Sequence, residues 1–460
     1  MIDLKYQSGF GNEFASEALP GALPQGQNSP QQCAWGLYAE QWNGSAFAAP
    51  RAANRRTWVY RIRPSAVCPA FVQRDAGLWL TAPLAGGWSP NPLRWSPFAV
   101  SDAPVDFVDG MATLAANGDP VMQAGIAIHV YRANRSMTDR VFFDADGELL
   151  VVPQSGRLRV VTELGVLEVA PLEVLLIPRG LRFRVELPDG VSRGHVCENY
   201  GASLRLPDLG LIGANGLANA RDFLAPVAAF EDRDDPVELL GKAGGRLWVT
   251  RLGHSPFDVV AWHGNLAPCK YDLTRFVTLF TVSVDHTDPS IYTALTSPSD
   301  LAGTSNLDFV VIPPRWLVAE HTFRPPYFHR NVMSEFLGLL SGEHDAKSAG
   351  LAEGATLATV AGSAAAGPAS TQGTGTDTHA FVPGSASLHN SGVPHGPDAA
   401  AYRRASTEAL VPQKTAGSYA FMFETRYPLV PSAFALAAPE RHVDYPSVWA
   451  DIDKQFNGRP

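Results

Sequence analysis

The feature that most constrains this chain is a recurring unit of four to seven β-branched, aromatic or leucine-rich residues closed off by Gly, Pro, Asn or Asp. Residues 148–187 show it most densely, as ELLVVPQSG, RLRVVTELG, VLEVAP, LEVLLIPRG and LRFRVEL. Runs this short suit strands, and the residues between them suit tight turns. Long amphipathic helical patterns are few. The expected fold class is therefore mostly β, with few helices and with strands meandering into sandwiches or small barrels. A second strand-rich block follows residue 275, with FVTLFTVSVD, SIYTALTS, DFVVIPPRWLV, SEFLGLLSG, FVPGSASLHN and YAFMFETRY. Two β bodies in tandem are expected, residues 1–275 and 276–460. At 45% hydrophobic residues, each can bury a core of its own.

Residues 348–380 do not fit a packed body. About three-quarters of them are Ala, Gly, Ser or Thr, too little apolar surface to offset the entropy of ordering. This stretch is expected to be a flexible loop inserted between strands.

A net charge of −9 without Lys/Arg clusters argues against nucleic acid as a partner. No apolar run is long enough to span a membrane. The opening MIDLKYQSGFGNEF lacks the basic-then-apolar pattern of a secretory leader, which places the protein in the cytoplasm. Cys33, Cys68, Cys197 and Cys269 are far apart, with no C-x-x-C pair, and read as free thiols.

The chemistry-bearing residues crowd toward the C-terminal end. His321, His329, His344, His379, His389 and His395 share one stretch with Glu335, Glu343, Asp345 and Asp398. Histidine with carboxylate suits iron(II), manganese or zinc, and two His with one carboxylate leave coordination positions open for substrate. In PPYFHRNVMSEF, His329 and Glu335 are six positions apart. On an extended strand they would share a face, whereas on a helix they would not. A third ligand must come from elsewhere, and PHGPD offers His395 between turn-forming residues that allow a close approach. Spacing alone leaves the alternative open that these histidines serve separate structural purposes. A zinc hydrolase lacks its H-E-x-x-H. There is no G-x-S-x-G elbow, Walker loop or dinucleotide fingerprint, and GFGNEF has the wrong glycine spacing for a phosphate cradle. His286, in VSVDHTDPS, has Asp285 and Asp288 as near neighbours and is the candidate acid/base histidine.

Taken in order, YQSGFGNEFASEALPGALPQGQNSPQ, AEQWNGSAF, RRTWVYRIRPS, DHTDPSIYTALT, HTFRPPYFHRNVMSEF, SLHNSGVPHGPD and ETRYPL resemble the homogentisate 1,2-dioxygenase family over nearly the whole chain. The resemblance implies two cupin-like bodies and a homo-hexamer built as a dimer of trimers. It implies iron(II) held by His329, Glu335 and His395, with His395 also near the substrate. It assigns His286 as proton acceptor and His389 to a supporting position beside the metal. The implied substrates are homogentisate and dioxygen, giving 4-maleylacetoacetate; a gentisate-type ring-cleaving enzyme or a non-catalytic cupin are the alternatives. In the N-terminal half, the turn around Pro178 is similar to half of a cupin signature, but Phe183 stands where a metal-binding histidine would be, so that barrel is expected to be metal-free. The chain departs from the family twice. His344 stands where a substrate-contacting tyrosine is common, and the 348–380 stretch is longer than the usual linker. Arg330 and His344 are the candidates for orienting the substrate's carboxylate or second hydroxyl.

Overall fold

The computed structural model describes residues 4–208, 217–278, 283, 292–317, 320–348 and 380–458, and every count below refers to these residues. The structure is mostly β. Two short α-helices accompany the strands, Ala399–Thr407 and Ala433–Ala437, and none of the described helices is long and apolar enough to cross a membrane.

A nine-stranded sheet forms the middle of the molecule. It contains the strands Met111–Ala116, Ile126–Ala133, Glu148–Ser155, Glu173–Ile177 and Ser192–Asn199. Because successive side chains on a strand point to opposite faces, ELLVV can bury both sides. Leu150 and Val152 enter a core shared with Phe309, Phe336, Phe421 and Phe423. Leu149 and Val151 enter a second core with Phe142, Phe183, Leu240 and Trp262. The continuous apolar run is thus the mark of a strand with a packed layer on each face. Pro153 has no N–H to give to a ladder, and the register against Ser192–Asn199 shifts between Pro153 and Ser155.

On one side of the middle sheet lie a seven-stranded and a four-stranded sheet. On the other lies a six-stranded sheet that carries the site, ordered Thr293–Pro298, Ser305–Ile312, Tyr419–Thr425, Ser334–Ser341, Ala386–His389 and Leu93–Trp95. The last of these strands comes from the N-terminal part of the chain. In the other direction, Val430–Pro431 pairs with Met111–Ala116 in the middle sheet. The N-terminal and C-terminal stretches of the chain therefore trade a strand each way.

His286 and residues 349–379 of the expected loop lie outside the described residues. The ends of that loop are close, because the Phe381 N–H donates to the Ser348 carbonyl at 3.1 Å. Phe183 is fully buried against Phe142 and Phe107.

Candidate metal centre and its cavity

Glu335 sits near the start of the Ser334–Ser341 strand. Phe336 and Leu340 point into the inter-sheet core, so Glu335 and Leu337 point the other way, into a cavity of about 450 Å³. Direct cross-strand pairing puts Asp308, Glu424, Glu335 and His389 in one row across four strands on that face.

His329 is not on this strand, contrary to the strand-parity expectation. The Asn331 side chain accepts from the Met333 N–H at 3.0 Å, and this turn breaks the extended run between His329 and Glu335. His329 instead pairs with His395. The His329 N–H donates to the His395 carbonyl at 2.9 Å, and the His395 N–H donates to the His329 carbonyl at 3.0 Å. Gly396 permits this meeting: a Cβ there would lie 2.9 Å from Phe328 Cα and 2.6 Å from Phe328 Cδ1. The close approach expected of PHGPD is thus to the Phe328 backbone.

Both imidazoles are fixed in the same way. His329 Nδ1–H donates to the Tyr327 carbonyl at 2.8 Å, and His395 Nδ1–H donates to the Val393 carbonyl at 3.0 Å. A carbonyl can only accept, so in each neutral ring Nε2 carries the lone pair. Those nitrogens face Glu335, His395 Nε2 at 3.0 Å from Oε2 and His329 Nε2 at 3.8 Å from Oε1. The ligand atoms of all three residues lie within 4.8 Å of one another. Two lone pairs facing a carboxylate require a cation between them or a second proton on the rings. Burial works to raise the Glu335 pKa, but the facing rings of His329 and His395 outweigh it and hold the carboxyl well below the usual range. This donor set fits a divalent transition metal.

A supporting layer surrounds these three. The His389 ring stacks on His395 at 3.9 Å and 4°, and its Nε2 is engaged with the Tyr445 hydroxyl at 3.2 Å. Burial, then the charges of His395, Lys347 and Arg94, push its pKa far down. Asn331 Nδ2 donates to Glu335 Oε1 at 2.9 Å and to Glu424 Oε1 at 2.5 Å. Burial, reinforced by the charge of Glu335 and opposed by the Asn331 hydrogen bond, pushes Glu424 up to about 7. Asn331 and Glu424 were not expected from the sequence. Their signal was available in principle, since an Asn side chain favours an Asx turn with the N–H two residues on and Glu424 lies within FMFETRYPL, but the pairing of Glu424 with Glu335 is non-local.

The other candidates fall as follows. His344 is 7% exposed and lines the cavity. Its Nδ1 accepts from the Ala346 N–H at 3.1 Å, so its proton is on Nε2, which is buried and has no hydrogen-bond partner among the described residues. Burial lowers its pKa to about 4. Arg330 is exposed and lies at the cavity mouth. His321 and Glu343 are exposed and do not line the cavity. Asp345 pairs with Arg315 at 2.5 Å, and Asp398 caps the Ala399–Thr407 helix. A second buried group, Asp144, Asp146 and Glu198, lies in the N-terminal part. There the Lys242 ammonium sits 3.1 Å from Asp146 and 2.5 Å from Glu198 and supplies the compensating charge.

Residues 5–273 match the family described as Homogentisate 1,2-dioxygenase N-terminal, and residues 274–376 and 371–456 match Homogentisate 1,2-dioxygenase C-terminal. Among curated proteins, the homogentisate 1,2-dioxygenase of Pseudomonas putida strain KT2440 is 55% identical over 455 residues, covering 99% of this chain and 98% of that one. The enzyme of the same name from Pseudomonas putida strain GB-1 is 54% identical over the same shares. Among solved structures, a cupin 2 conserved barrel domain protein from Leptotrichia buccalis is 8% identical with a TM-score of 0.32, over 75% of this chain and 99% of that one.

Proposed function

The chain belongs to the homogentisate 1,2-dioxygenase family, and from that premise we propose that His329, Glu335 and His395 hold iron(II) in a cavity that cleaves the ring of homogentisate with dioxygen, giving 4-maleylacetoacetate. The observation that carries the reading is the convergence of two committed Nε2 lone pairs and one carboxylate on a single point of the cavity floor. Two histidines and one carboxylate leave the remaining positions for substrate and oxygen. When bound, iron(II) supplies a path for electron density between an electron-rich ring and triplet dioxygen, which otherwise react slowly.

The protein's own residues then have distinct tasks. His286 takes the proton from the substrate hydroxyl, since a phenolate is the better electron donor. His344 Nε2–H donates a hydrogen bond to a substrate oxygen, replacing a phenol with a neutral imidazole. His395 flanks the bound ring, and His389 holds His395 by stacking on it. Arg330 draws the anionic substrate toward the mouth. The buried walls limit water around the reacting ring. The same reading carries a homo-hexamer, a dimer of trimers, in the cytoplasm.

The test is oxygen uptake by the full chain, stripped by chelator and reloaded with iron(II) and ascorbate. Uptake is expected with homogentisate and only with iron(II). Metal-independent uptake, or uptake with gentisate in place of homogentisate, would overturn the reading.

A further inference from the structure

Lys347 is 7% exposed and forms part of the cavity wall. Its ammonium makes one hydrogen bond, to Ser387 Oγ at 2.6 Å, and lies 4.9 Å from the centre of the Phe381 ring. Arg94 rests over the same ring at 5.2 Å. No carboxylate among the described residues forms an ion pair with Lys347. The other cations lining the cavity are placed differently. Arg315 is paired with Asp345, Arg324 donates to Gln413 and to the Val411 carbonyl, and Arg330 is exposed.

A buried ammonium with one of its three donors used among the described residues is costly unless an anion meets it. Burial, and then the charge of Arg94, lower its pKa far below the usual lysine value. An arriving carboxylate favours the ammonium form and accepts from its unused donors. Ser387, which holds Lys347, is two residues before His389 on the same strand face. That offset is about 7 Å along the strand, comparable with the reach from a ring hydroxyl to the carboxylate of a phenylacetate. Lys347 is also bridged to His344, its N–H donating to the His344 carbonyl at 3.3 Å, so the His344 Nε2–H, unpartnered among the described residues, comes from the same turn.

We propose that Lys347 is the anchor for the substrate's carboxylate arm, so that the cavity selects acidic over neutral hydroquinones; this rests on the ring-cleaving reading above. The experiment is anaerobic calorimetric binding of homogentisate and of its carboxamide, 2,5-dihydroxyphenylacetamide, to the iron(II)-loaded full chain. Wild type, Lys347→Met and Lys347→Arg are compared at matched iron content and matched melting temperature. Wild type is expected to favour the acid. Lys347→Met should weaken acid binding by about 10- to 100-fold, the usual worth of a charge-assisted hydrogen bond, and leave the amide within a few-fold. Lys347→Arg should restore part of the preference. Equal binding of acid and amide by wild type, or equal weakening of both in Lys347→Met, would overturn the anchor. Acid-selective binding without any oxygen consumption would overturn the activity and leave the anchor standing.

Discussion

The backbones of His329 and His395 are hydrogen-bonded to each other in both directions, at 2.9 and 3.0 Å, although they lie on opposite sides of the long inserted stretch. This bridge, and not a continuous strand, aligns their rings over Glu335. Each ring is then locked by the carbonyl two residues before it.

The bridge depends on Gly396, because any side chain there meets Phe328. Gly396→Ala is expected to lose about 1–3 kcal/mol of stability and to retain less metal. Thermal denaturation and metal analysis of the purified variant check both; wild-type values on both measures would mean the bridge adjusts freely.

Glu335 contributes the only carboxylate among the three converging residues. Glu335→Ala should leave the β fold intact by circular dichroism and abolish stoichiometric iron and activity. A variant that keeps one iron per chain and full turnover would contradict the assignment.

Asn331 tethers Glu335 Oε1, leaving Oε2 turned toward His395. Removing such a supporting contact typically costs about 10- to 100-fold in metal affinity. Asn331→Ala should show that loss in chelator competition. Glu424→Gln, which keeps an acceptor for the Asn331 amide, should lose much less.

In the proposed function His286 is the base. His286→Phe should retain iron and lose about 10²- to 10⁴-fold in turnover. A near-normal rate would remove it from the mechanism.

His195 is 3% exposed, packed between Phe336 and Phe421, and neither ring nitrogen has a hydrogen-bond partner among the described residues. Burial, helped by the charge of Arg193, lowers its pKa to about 4. The folded state therefore holds fewer protons than the unfolded state between the ordinary histidine value and about 4. Stability is unaffected at pH 7 and falls as pH drops through that window, by about 1.4 kcal/mol per pH unit, or about 2 kcal/mol between pH 7 and pH 5. In denaturant titrations at the two pH values, His195→Met should show a loss smaller than wild type by this amount. The same slope in both proteins would refute it.

What the sequence determined by itself was local: the strand runs, the turns that end them, and the types of donor available. The strands expected at residues 148–187 appear as Glu148–Ser155, Leu158–Thr162, Gly165–Val169, Glu173–Ile177 and Phe183–Glu186. Period-two side-chain direction and turn chemistry need no distant partner, so they can be read along the chain. Tertiary structure decided everything that depends on register between distant strands. It placed Glu424 beside Glu335, gave the His389 Nε2 to Tyr445 and the His395 Nε2 to Glu335, and buried Lys347 with no carboxylate ion pair among the described residues. The six-residue spacing of His329 and Glu335 suggested the pair for the wrong reason, because an Asn331 turn separates them and a backbone bridge to His395 restores the alignment. No local pattern encodes such contacts; they arise from which strands pair and from which faces they bury.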